Sequence, residues 1–235
     1  MIDTDLIIRD VKRCGFNIQK IINSRYKDDL TRIIDNRFFD PEFIGSIVTR
    51  EGFRFGANPN IRTLFEVADS YRVDDIRDTD IVLDIGANVG GFAIPAAAKA
   101  QMVFAVEPIL TDELRRNIEM NPNHYIAVIP AALGDGTHRE VSWCGETRYI
   151  KTTTLTQLIK MCGGHIDFLK CDCEGGEWFI RPEELVGIRR IEMELHYFRG
   201  MKPDTELIDF IQNNYDTVID YRDPDTRLLH AECKP

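Results

Sequence analysis

The sequence predicts a doubly wound α/β fold: a mostly parallel, seven-stranded sheet with a C-terminal antiparallel hairpin and an N-terminal, mainly helical extension. Three observations carry this expectation. IVLDIG, residues 81–86, is an almost continuous apolar run closing on an acid and a glycine, as buried parallel strands do. Strand-like and helical patterns alternate from there to the end of the chain. The last two strand-like runs, DTVIDY and RLLHAEC, have no helix between them and should pair antiparallel at the sheet edge.

In chain order, Ile7, Val11, Cys14, Ile18 and Ile21 recur at spacings of four and three, which predicts a helical face within the first forty residues. Residues 46–55 read as strand, ending at the Gly-Ala-Asn-Pro turn of residues 56–59, and a helix is expected over about residues 60–71. Residues 1–72 are therefore taken as an extension that packs on or caps a core domain of residues 73–235. In the core, a helix through IPAAAKA leads to the strand MVFAVEP, a helix over LTDELRRNIEM and the strand YIAVIPAAL. An insertion-like segment, HREVSWCGETRYI, precedes a short helix over TLTQLIKM and the strand IDFLKCD. A helix from about Gly176, the strand RIEMELHYF and a helix over DTELIDFIQNN lead into the closing hairpin.

With 235 residues and 43% hydrophobic content, the chain can bury one good core. It has no apolar run of transmembrane length. MIDTDLIIRD carries acids where a signal peptide carries bases, so secretion is not expected. Its six cysteines, Cys14, Cys144, Cys162, Cys171, Cys173 and Cys233, form no C-x-x-C pair, which suits reduced thiols in the cytoplasm. A formal charge of −10 argues against an electrostatic grip on nucleic acid or anionic membrane.

The loop VLDIGANVGG, residues 82–91, sits where the first strand of the sheet turns toward a helix. A dinucleotide fingerprint wants glycine at 86, 88 and 91; here Gly86, Asn88, Gly90 and Gly91 occur, beside an extra acid, Asp84. An acid there is awkward for a pyrophosphate but suits an ammonium group. S-adenosylmethionine carries an ammonium group and no phosphate. Glu107, at the tip of the second strand, can accept hydrogen bonds from two ribose hydroxyls, in NAD and S-adenosylmethionine alike. Ala132 and Leu133, at the third strand's tip, suit an adenine face, while Asp135 fits an ordinary turn better than a contact to the adenine amino group.

Taken together and in order, VLDIGANVGG, VFAVEP, AALGD, TLTQLI, DFLKCDCEGGEW and IEMELH resemble class I S-adenosylmethionine-dependent methyltransferases, and within them the FkbM family. The resemblance spans about residues 81–196, roughly half the chain. It implies S-adenosylmethionine as cofactor and methylation of a hydroxyl on a small molecule or glycan. The family typically shows K-I-D-V-E-G-x-E where this chain has KCDCEGGE, so Cys171 and Cys173 stand in for two apolar residues. They share one face of a strand and are expected to fill the core.

Asp172 and Glu174 lie at the carboxyl end of the fourth strand, the rim where open α/β sheets bind ligands. His196 ends the fifth. These three are the candidate catalytic residues, with Asp172 also placed to hold the cofactor's amino group. Two carboxylates and an imidazole would suit a divalent cation, but no spacing demands one and no metal is expected. Lys170, inside an apolar strand, should be ion-paired. Glu177 is read as complementing a helix N-terminus, and Glu192 and Glu194 receive no role. Three rival readings follow the same residues: an RNA methyltransferase, an NAD-dependent oxidoreductase, and a silent S-adenosylmethionine-binding module. RNA is disfavoured by acidity and by the absence of an N/D-P-P-Y/F motif after the fourth strand. The oxidoreductase is disfavoured by Asn88.

Overall fold

The computed structural model describes residues 46–49, 51–56, 67, 70–122, 124–143, 145–198 and 203–234. The helical face expected in the first forty residues and most of the helix over about 60–71 lie outside these, as do Cys14 and Cys144.

Seven strands form the main sheet: β3 (Ile81–Ile85), β4 (Met102–Val106), β5 (Ile126–Ile129), β8 (Phe168–Cys171), β9 (Arg190–His196), β10 (Tyr215–Asp223) and β11 (Thr226–Cys233). Their spatial order is β10-β11-β9-β8-β3-β4-β5. The five strands from β9 to β5 in that order are mutually parallel, and β11 runs antiparallel to both β9 and β10. The parallel sheet with its antiparallel closing hairpin is thus as the apolar runs predict. Among the described residues, four α-helices with defined bounds accompany it: α1 (Ala93–Ala97), α2 (Thr111–Glu119), α3 (Leu155–Met161) and α4 (Thr205–Asn214). None of the helices among the described residues is long and apolar enough to cross a membrane.

Because side chains alternate along a strand, each face of the sheet has its own core. Leu83, Leu169, Cys171, Ile191 and Met193 point to the face covered by α3 and α4 through Leu155, Leu158, Leu207 and Ile211. Val82, Phe168 and Leu228 point to the other, against Phe92, Ala93 and Ala96 around α1 and Leu114 of α2. Each fully buried leucine or isoleucine contributes roughly 1.5–3 kcal/mol. The second face also carries charge. Strand register aligns Asp84, Lys170, Glu192 and His230 in one row across β3, β8, β9 and β11. All four are at most 5% exposed. Their burial is tolerable because each has a charged neighbour: Lys170 against Asp84, Glu192 against His230 and Arg190.

Two small hairpins decorate this frame. β1 (Ser46–Val48) and β2 (Arg54–Gly56) pair antiparallel. Asn117 of α2 accepts from the Gly56 amide at 2.8 Å, and Asn121, just past that helix, accepts from the Arg54 amide at 2.8 Å. The insertion-like segment forms the second hairpin, β6 (His138–Trp143) with β7 (Glu146–Lys151). Val141 and Trp143 on it pack toward Phe55 and Val89.

One expected element is corrected. The segment from Gly176 is not an α-helix but two 3-10 turns, Gly176–Phe179 and Pro182–Leu185. Pro182 can only start a helical turn, so nothing continues through it.

Candidate active site

An open cleft of about 760 Å³ lies at the carboxyl ends of β3, β4, β5, β8 and β9. Gly86, Asn88, Glu107, Ala132, Leu133, Asp172, Glu174 and His196 all line it, so the fold gathers eight of the ten sequence-selected residues in one place.

The glycine loop shapes one wall. Gly86 has φ +75, and a Cβ there would sit 1.7 Å from the Asp172 carbonyl oxygen, so only glycine fits where β3 and β8 meet. Its amide and that of Ala87 both donate to the Val106 carbonyl at 3.0 Å. The Asn88 amide donates to Glu107 Oε2 at 2.9 Å, and the Gly90 amide to the Ala87 carbonyl at 2.8 Å. These four amides are therefore engaged internally. Asn88 itself adopts φ 53, and its Oδ1 is buried without a hydrogen-bond partner among the described residues, as is Trp143 Nε1 across the cleft. A bound molecule with donors for the first and an acceptor for the second would satisfy both.

Glu107 stands at the tip of β4. Its carboxylate accepts the amides of Ile109 (2.7 Å), Leu110 (2.9 Å) and Asn88. A carboxylate offers about four acceptor positions, so capacity remains on the cleft side for a hydroxyl. Ala132 and Leu133 follow β5 as a buried apolar wall.

Two candidate residues fall outside. Asp84 is fully buried and faces Lys170, whose Nζ lies 3.1 Å from its Oδ1. Burial raises its pKa against the pull of Lys170. It cannot reach a ligand's ammonium, so the choice of ligand does not rest on it. Lys170 also donates to the Gly86 carbonyl at 2.9 Å and so braces the loop from behind. Gly90, with φ +93, is needed for packing instead: a Cβ would come within 3.0 Å of Ile94 and Leu114 side chains. Asp135 is held by Arg139 and Thr137, which push its pKa far below the ordinary range, in keeping with the turn reading.

The opposite wall is acidic. Asp172 follows β8, and Glu174 follows it in a left-handed conformation, φ 55. Burial raises the Glu174 pKa, opposed by His196. His196, only 4% exposed, points Nε2 at this pair, 3.7 Å from Glu174 Oε2 and 3.9 Å from Asp172 Oδ1. Its Nδ1 is 3.0 Å from Glu177 Oε1. Burial opposes its charge, but the hydrogen bond and charge of Glu177 with the charges of Glu174 and Asp172 outweigh it and raise the pKa to about 9.

Glu177 is also corrected. It stands in the first turn of a 3-10 segment, not of an α-helix; fully buried, it accepts from the His196 amide at 2.8 Å and the Gly175 amide at 2.9 Å, fixing the end of β9 to the turn after β8. Two residues given no role also belong here. Tyr71 donates from the edge of the extension toward Asp172 (2.9 Å) and Glu194 (3.2 Å), and Glu194 lines the cleft. Cys171 is wholly buried in the core, whereas Cys173, beyond the strand's end, reaches the cleft wall; their sulfurs lie 3.5 Å apart as free thiols.

No protein-family model matches the chain, and no curated protein matches it. Solved structures with a related chain trace include an rRNA methylase from Streptococcus thermophilus, at 11% identity and TM-score 0.49, covering 76% of this chain and 98% of that one. A ribosomal protein L11 methylase from Lactobacillus delbrueckii subsp. bulgaricus aligns at 14% identity and TM-score 0.45, covering 77% of this chain and 82% of that one. TrmK of M. capricolum, solved with S-adenosyl-homocysteine, aligns at 14% identity and TM-score 0.41, covering 73% and 67%. Likeness at this level carries no activity across to this chain, so the functional reading rests on the site.

Proposed function

We propose that the chain is an S-adenosylmethionine-dependent methyltransferase of FkbM type, acting on a hydroxyl of a small molecule or glycan. The observation that carries this is the state of the glycine loop. The amides of Gly86, Ala87, Asn88 and Gly90 are all engaged, so the loop offers a pyrophosphate none of those donors. What it presents instead are acceptors: Asn88 Oδ1, Glu107 and, across the cleft, Asp172. These suit ribose hydroxyls and an ammonium group, and Ala132 with Leu133 suits an adenine ring.

S-adenosylmethionine, when bound, supplies a methyl group on a sulfonium and leaves as S-adenosylhomocysteine, its sulfur keeping the electrons of the broken bond. This chain's residues then hold the acceptor in line and take one proton. Glu174 accepts the hydroxyl proton as the oxygen forms its bond to the methyl carbon. Glu174 suits that task because it lines the cleft and partial desolvation raises its pKa. His196, fixed by Glu177, orients the two carboxylates. The acidic wall and the charge of −10 favour a small polar acceptor over RNA.

The test is methyl transfer from isotopically labelled S-adenosylmethionine to a panel of sugars and hydroxylated small molecules, read as S-adenosylhomocysteine formed. Labelled product with a hydroxyl acceptor is the expected outcome. Transfer to RNA alone would replace the acceptor class, and turnover with none would leave a binding module.

A further inference from the structure

We propose that Asp172, Glu174 and His196 form a binding site for one divalent metal ion at the acceptor side of the cleft. One carboxylate oxygen from each acid and an imidazole nitrogen all lie within 4.8 Å of one another. An ion placed among three atoms so spaced lies no more than about 2.8 Å from each, against metal bonds of about 2.1 Å. Less than an ångström of side-chain rotation closes the difference.

The geometry of the buried imidazole, held from behind by a residue outside the cluster, is a second pointer. His196 Nε2 has no hydrogen-bond partner among the described residues, although the ring is 4% exposed and aimed between two carboxylates. A charge-assisted hydrogen bond would draw one of them to about 2.8 Å. Glu174, on a side chain 42% exposed, is open to move, yet stands at 3.7 Å. Meanwhile Nδ1 is fixed by Glu177, which is itself locked by two backbone amides. A carboxylate that orients a histidine through its far nitrogen is the usual second layer of a metal site.

Charge favours the same conclusion. Asp172, Glu174, Glu177 and Glu194 surround His196, while the ammonium of Lys170 is committed to Asp84 and the Gly86 carbonyl, 3.9 Å from Asp172. One imidazole with two carboxylates suits Mn²⁺, Fe²⁺ or Zn²⁺ better than Ca²⁺. Three protein ligands leave coordination positions toward the cleft. On the methyltransferase reading, on which this last step alone rests, the acceptor hydroxyl takes one of them and passes its proton to the unligated carboxylate oxygen of Glu174.

The experiment is Mn²⁺ binding by electron paramagnetic resonance to the chelator-treated full chain, with S-adenosylhomocysteine binding measured on the same samples. The expected result is one Mn²⁺ per chain, with imidazole nitrogen coupling. Glu174→Gln and Asp172→Asn should weaken it at least about tenfold, and His196→Gln should abolish the nitrogen coupling. Glu174 is half-exposed, so its variant should fold even if the His196 variant does not. Absence of stoichiometric Mn²⁺, or Glu174→Gln and Asp172→Asn that bind as tightly as the unaltered chain, overturns the site. Mn²⁺ bound without S-adenosylhomocysteine supports the site and refutes the cofactor reading; the reverse refutes the site alone.

Discussion

The hydroxyl of Tyr71 lies 2.9 Å from Asp172 Oδ2 and 3.2 Å from Glu194 Oε2, bridging two carboxylates on neighbouring strands. One hydroxyl proton cannot serve both when both are ionised. Burial and then the charges of Asp172 and Glu194 raise the tyrosine's pKa well above its ordinary value, so it stays a donor. Tyr71→Phe keeps the edge-to-face packing on Phe92 but leaves the acids facing each other. It should cost about 1–3 kcal/mol of stability in denaturant titration. An unchanged midpoint would show that the bridge contributes nothing.

Glu194 should make stability fall as pH rises. Burial, and next the charge of Asp172, raise its pKa from 4.5 to about 7. A carboxyl raised in the folded state favours folding while protonated, fully so below 4.5, and that contribution is lost as pH climbs through about 7. Compared with Glu194→Gln, the unaltered chain should therefore lose stability across this window and level off above it. A pH-independent difference between the two would contradict the assignment.

The ion pair of Lys170 and Asp84 should matter for folding before it matters for binding. Breaking it from either side leaves one uncompensated buried charge, at a cost of about 3–5 kcal/mol. Lys170→Met with Asp84→Leu removes both charges and should cost clearly less than the two single changes summed. Additive losses in thermal or chemical denaturation would mean the two side chains act separately.

At the acidic wall, Asp172→Asn and Glu174→Gln should each lower turnover by about 10²–10⁴-fold, the usual worth of proton transfer by a placed group. S-adenosylhomocysteine affinity should hold for Glu174→Gln, since that side chain stands on the acceptor side. Full turnover in both would move the chemistry elsewhere.

The sheet was legible because β3, β4 and β8 are short, mainly apolar runs with an acid or glycine at the tip. The rim followed, since Gly86, Glu107, Asp172 and His196 all occupy strand ends. What sequence could not show depends on register and on distant contacts. Tyr71 meets Asp172 across 101 residues and Glu194 across 123. Asp84 reads as a ligand residue until register sets Lys170 directly beside it. Glu177 reads as an acid at an α-helix start, whereas Gly175, at φ 98, turns the chain so that this carboxylate is buried under β9. One signal was available: Glu192, Glu194 and His196 alternate along a strand, which sets three ionisable groups on one face of a sheet covered on both sides.

Calorimetry with S-adenosylhomocysteine and with NADH tests the central claim, that this glycine loop holds a nucleoside without a pyrophosphate, most directly. Micromolar binding of S-adenosylhomocysteine at one per chain is expected, weakened by about 1–3 kcal/mol in Glu107→Ala, with no comparable heat from NADH. Binding of NADH with S-adenosylhomocysteine ignored would contradict the claim.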